Sequence, residues 1–378
     1  MTKLEELIKE LCPNGVEYIS VKEMVRVNRG KRLTKSQLSD NGKYEVYHGS
    51  KDSILGKYHE YNAPANSTIV VNTGGIGGVK FINTPFWCSD GSFWLSQADS
   101  IDSKYLYYCL SGYEDYFYSQ KRSGGVPTID RSVVEDFKIP VPPLPVQREI
   151  VRILDNFTEL TAELTAELMA RKKQYEYYRD DLLKFNTTIP TVKLKDIATD
   201  IYRGTGIKRD EVTESGIPCV RYGEIYTTYN TWFDTCKSHT DLKYVPNPKY
   251  FEHGDILFAI TGESVEDIAK SVAYVGHEKC LAGGDIVVMK HKQNPRYLAH
   301  VLATQAAREQ KSKGKVKSKV VHSNVPSIEQ IEIPLPSLEI QERYANVLDN
   351  FESLCNDLKI GLPAEIEARQ KQYEYYRD

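Results

Sequence analysis

The sequence predicts an α+β protein in which two α/β domains are separated by two long antiparallel coiled-coil connector helices, arranged as an internal repeat with pseudo-two-fold symmetry. The first observation is a duplicated segment, which reads IPVPPLPVQREIVRILDNF from Ile139 and IPLPSLEIQERYANVLDNF from Ile333. The second is that each copy continues to a matching stretch, ARKKQYEYYRD from Ala170 and ARQKQYEYYRD from Ala368. The distance along the chain between the two copies, from Ile139 to Ile333, is much longer than the period of solenoid repeats. It therefore indicates a duplicated domain with its connector.

Four blocks follow from this repeat. Residues 1–143 and 186–333 are mixed in character, with strand-like runs such as Thr68–Asn72 and Asp255–Ile260, and residues 144–185 and 334–378 are helical. The mixed blocks are only distantly alike, but four pairs of landmarks align. They are Arg29-Gly30 with Arg203-Gly204, Val46–Gly49 with Val220–Gly223, Thr73-Gly74 with Thr261-Gly262, and Tyr105-Leu106 with Tyr297-Leu298.

The two helical blocks carry a coiled-coil pattern. After Pro145 no proline occurs until Pro190, and two interleaved rows with seven-residue spacing run between them. A matching stripe in the second block predicts that the two helices pair as rods of roughly 60 Å. The alternative is that each helix packs only on its own domain. The residues assigned to the connector coiled coil are Ile150, Leu154, Phe157, Leu164, Leu168, Tyr175, Tyr178, Leu348, Phe351, Leu358 and Tyr373.

The second connector differs from the first in two ways. It contains extra residues that include Gly361 and Pro363, so we predict a kink near residues 361–363, because proline interrupts helical hydrogen bonding. The first connector also continues through Asp181–Phe185, whereas the sequence ends at Asp378. We therefore expect either a shorter natural tail or a truncated chain.

Composition narrows the class of protein. The chain has 378 residues and a net charge of −3, so any contact with nucleic acid must come from local basic patches. No apolar run approaches the ~18–20 residues that span a bilayer. The seven cysteines form no CxxC pair, which favours reduced thiols in the cytoplasm. We expect a soluble cytoplasmic protein without membrane contact.

Motifs that would indicate catalysis or metal binding are weak. Asn247–Tyr250 resembles the Asn-Pro-Pro-Tyr loop of adenine methyltransferases but lacks its second proline, which favours a turn. Gly74–Gly78 matches neither the dinucleotide pattern nor the Walker loop, and is interpreted as a turn or as a close approach to phosphate. A zinc site is an unfavoured alternative, because the first block has no counterpart to its four ligands. Those ligands would be Cys236, His239, His277 and Cys280. We predict no catalytic residue and no metal site.

Basic clusters favour contact with a phosphate backbone. One cluster lies between Arg26 and Lys35 without an intervening acid, and alternating lysines run from Lys311 to Lys319. On an extended segment such lysines point to one side. The alternative is that these are solvated loops. Together with the aligned landmarks, the predicted DNA contacts are Arg29, Lys31, Arg32, Lys35, Thr73, Lys121, Arg122, Arg203, Lys208, Arg209, Arg221, Thr261, Lys311, Lys313, Lys315 and Lys317.

The connector segments are similar to the conserved regions of the specificity subunits of type I restriction–modification systems, and the tandem Thr161–Leu164 and Thr165–Leu168 resembles the type IC group. The resemblance implies two target recognition domains that each read half of an asymmetric bipartite double-stranded DNA target through the major groove. It implies that the connectors bind two methyltransferase subunits, which hold S-adenosylmethionine, and that restriction (motor) subunits join them. This chain would itself bind no cofactor and would not be an enzyme.

Two further hypotheses concern the first connector. Glu159, Glu163 and Glu167 fall on one helix face, which is a candidate docking strip for the methyltransferase subunits or simply a solvated face. Because four residues make about one helical turn, the number of Thr-Ala-Glu-Leu units would set the spacing between the two half-sites. The competing functions are a stand-alone methyltransferase or nuclease with unrecognised motifs, and a coiled-coil scaffold that does not bind DNA.

Overall fold

The computed structural model describes residues 2–122, 126–185, 189–313, 320–356 and 362–377. The chain forms two compact units. Unit 1 comprises Met1–Glu163 together with Glu367–Asp378, and unit 2 comprises Leu164–Ile366. No helix in the described ranges is both long enough and apolar enough to span a bilayer.

The first repeat contains six helices and nine strands in its described residues. The helices are α1 (Lys3–Leu11), α2 (Val21–Met24), α3 (Ser103–Ser111), α4 (Glu114–Ser119), α5 (Arg131–Glu135) and α6 (Leu144–Leu182). The strands are β1 (Tyr18–Ser20), β2 (Val27–Arg29), β3 (Tyr44–Tyr47), β4 (Gly56–Tyr58), β5 (Ser67–Val71), β6 (Val79–Ile82), β7 (Trp87–Cys88), β8 (Ser92–Leu95) and β9 (Lys138–Pro140).

The core of the first repeat lies on a four-stranded antiparallel sheet, in the order β2-β8-β5-β6. Every residue of β5 is buried, as expected for a central strand with both faces covered. Helix α3 begins where Asp102 caps the amides of Lys104 and Tyr105, and it buries Tyr105 and Leu106 in this core. A second sheet has the order β4-β3-β7, and β1 pairs with β9.

The second repeat adds strands to the same plan. Its helices are α7 (Leu194–Ile197), α8 (Tyr222–Thr227), α9 (Pro295–Leu302), α10 (Gln305–Ser312), α11 (Val325–Glu329), α12 (Leu338–Asn356) and α13 (Leu362–Arg377). Its strands are β10 (Thr191–Lys193), β11 (Ala198–Arg203), β12 (Val212–Thr213), β13 (Ile217–Val220), β14 (Trp232–Phe233), β15 (Ser238–Thr240), β16 (Tyr250–Phe251), β17 (Ile256–Ala259), β18 (Thr261–Gly262), β19 (Ser271–Tyr274), β20 (Cys280–Ala282), β21 (Ile286–His291), β22 (Val321–His322) and β23 (Glu332–Pro334).

The two repeats share one topology. The order β11-β21-β17-β19 reproduces β2-β8-β5-β6, and β15-β13-β20 reproduces β4-β3-β7, including the parallel pairing of its last two strands. The landmarks predicted from the sequence occupy equivalent places: Arg29 and Arg203 end the first strand of each main sheet, and Tyr105 and Tyr297 lie on α3 and α9. The internal repeat is therefore confirmed as a repeat of fold.

The connector helices bury a seam that is more polar than the heptad pattern predicts. Leu154 and Leu348 are fully buried as expected, whereas Tyr178 and Phe351 keep more than a third of their surface exposed. The remaining assigned positions of α6, Ile150, Phe157, Leu164, Leu168 and Tyr175, are half-buried. Unexpected polar residues, among them Arg179 and Glu352, are buried instead.

Aromatic contacts show how the helices pair inside each unit. In unit 2 the Phe185 ring lies 5.1 Å from Tyr344, and Tyr178 stacks on Phe351, so α6 and α12 run antiparallel there. In unit 1 Phe157 stacks on Tyr376 at 5.4 Å, and Tyr373 contacts Tyr108 edge-on. These contacts join each repeat to part of the other helical block, which is the pairing that the sequence predicts.

The predicted kink falls where α12 ends at Asn356 and α13 begins at Leu362. Leu358 and Gly361 lie outside the described residues. Pro363 occupies the first turn of α13, where its missing N–H removes no helical hydrogen bond.

Candidate nucleic-acid interface and connector surface

The basic segment of the first repeat, residues 29–35, is fixed by hydrogen bonds of its main chain, and its charged side chains are exposed. A Cβ at Gly30 would overlap the carbonyl oxygen of Ser89, so only glycine fits there. The Lys31 amide donates to the Cys88 carbonyl at 2.9 Å, and Trp87 Nε1 donates to the Lys31 carbonyl at 2.7 Å. Leu33 is buried, which anchors the segment between its exposed cationic side chains.

The four predicted cations of this segment are exposed. Across the described part of the chain, no acidic side chain forms an ion pair with Arg29, Lys31, Arg32 or Lys35. Their charge is therefore available to an external anion. The local geometry agrees with the predicted phosphate contact.

The second repeat builds the same turn with a different charge balance. A Cβ at Gly204 would overlap the carbonyl oxygen of Gly283, as at Gly30. Arg203 Nη2 lies 2.6 Å from Asp285 Oδ1, so this arginine already has an acidic partner. Lys208 and Arg209 follow on the exposed surface, and Lys208 Nζ lies 3.6 Å from Glu211. The two repeats therefore present unlike charge at equivalent places.

A second pair of predicted contacts is brought together by the fold. Thr73 and Arg122 both form β-bridges with Thr128, although they lie far apart in the sequence. Arg122 also pairs with Asp130, and Lys121 Nζ lies 3.8 Å above the Tyr118 ring. In the second repeat Thr261 pairs with His322 in the strands β18 and β22, so the corresponding threonine has a corresponding partner strand.

Two predicted DNA contacts, Thr261 and Lys311, are buried and not on the surface. Thr261 is 8% exposed, and its Oγ1 lies 3.1 Å from His322 Nδ1. Lys311 belongs to helix α10 and not to an extended segment, and only 5% of its surface is exposed. Its Nζ donates to the Leu302 carbonyl at 2.7 Å and to Ser271 Oγ at 3.1 Å. Lys313 is exposed just beyond this helix, whereas Lys315 and Lys317 lie outside the described residues.

Arg221 is partly buried at the start of α8. Its Nη2 lies 3.7 Å from Glu224, and its buried Nε has no hydrogen-bond partner within the described ranges. Arginine is a donor only, so this Nε–H is left to donate to an acceptor oxygen that comes within reach of it.

Each domain is fixed to its connector by a repeated glutamine. Gln147 Oε1 accepts from the Asp102 amide at 2.8 Å, and its Nε2 donates to the Pro142 carbonyl at 2.8 Å. Gln341 repeats both bonds, with the Asn294 amide at 3.0 Å and the Pro336 carbonyl at 2.8 Å. The two glutamines occupy equivalent positions in the repeat, but the sequence pattern alone does not indicate this role.

A repeated aspartate follows each glutamine and has different partners in the two repeats. In unit 1 Asp155 accepts from Tyr108 Oη at 2.5 Å and from Lys104 at 2.7 Å. In unit 2 Asp349 contacts Trp232, Arg296 and His300. Burial alone would raise the pKa of Asp349, but the hydrogen bond and charge of His300, with Trp232 and Arg296, lower that pKa overall.

His300, Asp349 and Glu352 also form a group of three side chains that a metal ion could in principle share. Each is already engaged by the protein: His300 Nδ1 lies 3.0 Å from the Tyr175 hydroxyl, and Glu352 accepts from Thr231 Oγ1 at 2.6 Å. These contacts explain the group as a hydrogen-bond network. The four residues weighed as zinc ligands form no such group in the described part of the chain, and His277 stacks on His253 instead.

The connectors carry exposed aromatic and apolar side chains that the heptad analysis missed. Tyr177 and its repeat equivalent Tyr375 are 68% and 79% exposed. Both copies of the repeat have tyrosine at this position, and burial in the core does not explain why. This repetition is the sequence signal that could have identified the pair. Met169 and Leu354 are also exposed, and in unit 2 a cleft of about 690 Å³ opens beside Tyr178 and Phe351.

The three glutamates predicted as a docking strip are exposed on α6. Glu159 and Glu163 belong to unit 1 and Glu167 to unit 2. Glu167 pairs with Arg171 at 3.3 Å, a contact that solvent screens strongly. The strip is accessible, as the docking hypothesis requires.

Two domains of one topology, with different charged surfaces and each anchored on a helix, define a binding protein built from paired recognition modules. The chain belongs to the family described as type I restriction modification DNA specificity domain, which matches residues 13–171 and again residues 186–368. This double match confirms the resemblance inferred from the connector segments, and supports a non-catalytic DNA-recognition subunit. The comparisons support neither a stand-alone enzyme nor a scaffold.

Similar proteins span the whole chain. The specificity subunit of a type I restriction enzyme of Escherichia coli is 33% identical over 410 residues, covering 100% of this chain and 97% of that protein. A type I restriction enzyme specificity subunit of Haemophilus influenzae is 26% identical over 397 residues, with coverage of 100% and 97%.

Solved structures of low sequence identity share the fold. A structure from work on complex assembly and conformational transition of the type I restriction–modification system has a TM-score of 0.62, with 16% identity and 97% of each chain covered. The S subunit of a type I system from M. genitalium has a TM-score of 0.56, with 16% identity and 96% of each chain covered.

Proposed function

We propose that the chain recognises an asymmetric, bipartite double-stranded DNA target, with one half of the target bound by each mixed domain. The observation that carries this proposal is the repeated Arg-Gly turn, at which Arg29 and Arg203 present unlike charge on one backbone frame. Two domains with the same backbone arrangement but different surface charge are suited to two different half-sites. The E. coli and H. influenzae relatives are named as specificity subunits of type I restriction enzymes, which agrees with this function.

Phosphate contacts would position each domain on the duplex. In the first repeat Arg29, Lys31, Arg32 and Lys35 supply charge that no described acid neutralises. Lys121, Arg122 and Thr73 lie beside Thr128 on a second strip. In the second repeat Arg203, Lys208, Arg209, Arg221 and Lys313 are the corresponding candidates. Such contacts give affinity, whereas base-edge contacts would supply the sequence preference.

The connectors would bind two methyltransferase subunits, one on each copy of the repeated surface. The support is that Tyr177 and Tyr375 are identical in the two copies and strongly exposed, and exposed aromatic groups are typical of interface anchors. Glu159, Glu163 and Glu167 would add charge complementarity on α6. S-adenosylmethionine would be held by those subunits and by no residue of this chain. Restriction subunits would complete the assembly in the cytoplasm.

The DNA proposal is tested with the chain assembled with its methyltransferase subunit. Replacing Arg29, Arg32 and Lys35 with glutamine should weaken DNA binding and reduce the slope of log affinity against log salt by about 0.9 per lost phosphate contact. Lys9→Gln on α1 is the matched control, because Lys9 is exposed but lies outside the basic segment. If the triple variant keeps the same affinity and the same salt slope, this segment does not contact the DNA.

The docking proposal needs a separate measurement. Reversing the charge at Glu159, Glu163 and Glu167 should reduce the share of methyltransferase subunit that elutes with this chain in gel filtration. Reversal at Glu10, which is exposed on α1, is the control. If the triple reversal leaves the complex intact, the glutamates form a solvated face and docking rests on the aromatic residues alone.

A further inference from the structure

Unit 2 contains a cavity of about 490 Å³ whose walls carry five cations and four carboxylates. It lies between the C-terminal half of α6, the start of β19 and helix α10. The cationic residues of its wall are Lys172, Arg179, Lys270, Arg308 and Lys311. Arg179 and Lys311 are almost completely buried, and the Arg179 guanidinium pairs with Asp180 at 2.8 Å, whereas Lys311 has no acidic partner within the described residues.

The acids of the wall form no ion pair with Lys270 or Lys311. Glu352 accepts hydrogen bonds from Thr231, and Glu176 lies 3.8 Å from Arg308. Glu266 and Asp267 are exposed at the edge. Within the described residues no carboxylate lies within ion-pair distance of Lys270 or Lys311.

The two lysines contact neutral acceptors only. Lys270 Nζ donates to the carbonyls of Tyr226 and Tyr229, at 3.4 and 3.3 Å. Lys311 Nζ donates to Ser271 Oγ and to the carbonyl of Leu302, the last residue of α9. The negative C-terminal end of α9 compensates only part of the charge of Lys311.

Burial destabilises the protonated form of both lysines, and at Lys270 the charges of Asp267 and Glu352 compensate only part of it. Burial, together with the charges of Arg308 and Arg179, lowers the pKa of Lys311 to about 7. Burial also lowers the pKa of Lys270. An anion in the cavity would supply the missing negative charge and would reverse both shifts.

We propose that this cavity is a binding site for a small phosphate-bearing anion, which is held by Lys311, Lys270 and Arg308 and shielded by Arg179. A phosphate group accepts several charge-assisted hydrogen bonds at once, and that is what converging ammonium and guanidinium groups provide. The volume lies within the usual range for small-ligand pockets. Tyr175 and Tyr226 in the wall offer ring surface to the organic part of such a ligand.

Isothermal titration of the full chain with pyrophosphate and with inorganic phosphate, at constant ionic strength, tests the proposal. We expect one saturable site, with binding at least tenfold weaker in Lys311→Met and in Arg308→Gln. Lys237→Met is the control, because Lys237 is exposed in the same unit and does not line the cavity. Arg308 lies nearer the surface than Lys311, so its variant keeps the test valid if Lys311→Met fails to fold.

The pH dependence gives an independent readout. Sulfate keeps a constant charge between about pH 6 and about pH 8, so a fall in sulfate affinity over that range reports loss of a proton from the protein. The charged groups that line the cavity with Lys311 are Lys172, Glu176 and Arg179 of α6, Glu266, Asp267 and Lys270 before β19, Arg308 of α10 and Glu352 of α12. We expect the fall to disappear in Lys311→Met and to persist in Lys270→Gln.

Three results would overturn the proposal. The first is the absence of saturable binding in the unmodified chain, which would leave Lys311 as a structural cap of α9. The second is equal binding in the unmodified chain and in both cavity variants. The third is stoichiometric displacement of pyrophosphate by a short DNA duplex, which would assign the cavity to a phosphate of the DNA backbone and not to a free small anion.

Discussion

Replacing Asp349 with alanine removes one carboxylate on which three donors of unit 2 converge. Asp349 Oδ1 lies 2.9 Å from Trp232 Nε1 and 2.8 Å from His300 Nε2, and Oδ2 lies 2.6 Å from Arg296 Nη1. A buried donor left without an acceptor costs about 1–3 kcal/mol. Arg296 retains Glu342 and contacts solvent, so the cost comes mainly from Trp232 and His300. We expect unit 2 to lose about 3–5 kcal/mol of unfolding free energy.

Asp155→Ala is the matched comparison in unit 1. Asp155 has two donors, Tyr108 and Lys104, and about a third of its side chain is exposed, so water replaces part of what is lost. We expect about 1–2 kcal/mol there. Hydrogen exchange resolved to the peptides of α9 and α12, and of α3 and α6, measures the two losses separately. Equal losses in both variants, or a loss below about 1 kcal/mol in Asp349→Ala, would refute this account of the network.

The same carboxylate predicts an acid dependence. The pKa of Asp349 is lower in the folded chain than its ordinary value, so its contribution is fully present above the unfolded pKa of about 3.9 and is lost as the pH falls through the folded value. Urea unfolding of unit 2 should therefore show less acid sensitivity in Asp349→Asn than in the unmodified chain. If Asp349→Asn and the unmodified chain lose stability equally as the pH falls, groups other than Asp349 cause that loss.

Three more outcomes follow from contacts described above. Gly30→Ala should cost unit 1 about 2 kcal/mol or more, because its Cβ would overlap the Ser89 carbonyl; a thermal shift within error of zero would contradict this. Alanine at Tyr177 or at Tyr375 should each remove one of two bound methyltransferase subunits in native mass spectrometry; loss of neither, or of both at once, would contradict independent sites. Deleting Thr165–Leu168 shortens α6 by about 6 Å and should shorten the unread spacer of the methylated target by one or two base pairs; an unchanged spacer in methylome sequencing would end the ruler hypothesis.

The repeat made most of the architecture predictable from the sequence. The landmarks at Arg29 and Arg203 mark equivalent strand ends, the run at Thr68–Asn72 overlaps the central strand β5, and the run at Asp255–Ile260 contains β17. The glycine-rich segment at Gly74–Gly78 is the turn between β5 and β6, with Gly74 and Gly77 at positive φ. Such features are local, because they depend on residues that are near one another in the chain.

What the sequence did not predict depends on distant partners. Lysine is normally a surface residue, and Lys311 is buried only because Ser271 and the end of α9 form its surroundings. Glu352 is buried because Thr231, far away in the sequence, donates two hydrogen bonds to it. A heptad pattern cannot anticipate a polar seam of this kind, since it records the apolar face and not the donors that a polar residue will meet.

The glutamine bonds at the two connectors have a consequence for how such chains diversify. Gln147 binds only main-chain groups of the domain it holds, among them the amide that precedes α3 and a proline carbonyl. Gln341 makes the two equivalent main-chain bonds at α9 and one further bond to the side chain of Gln293. A joint that depends mainly on main-chain groups accepts a domain of different sequence if that domain keeps the helix start in place. Recombination that exchanges one mixed domain between the connectors would therefore give a chain that folds and has a new target. Each domain can then evolve separately from the other.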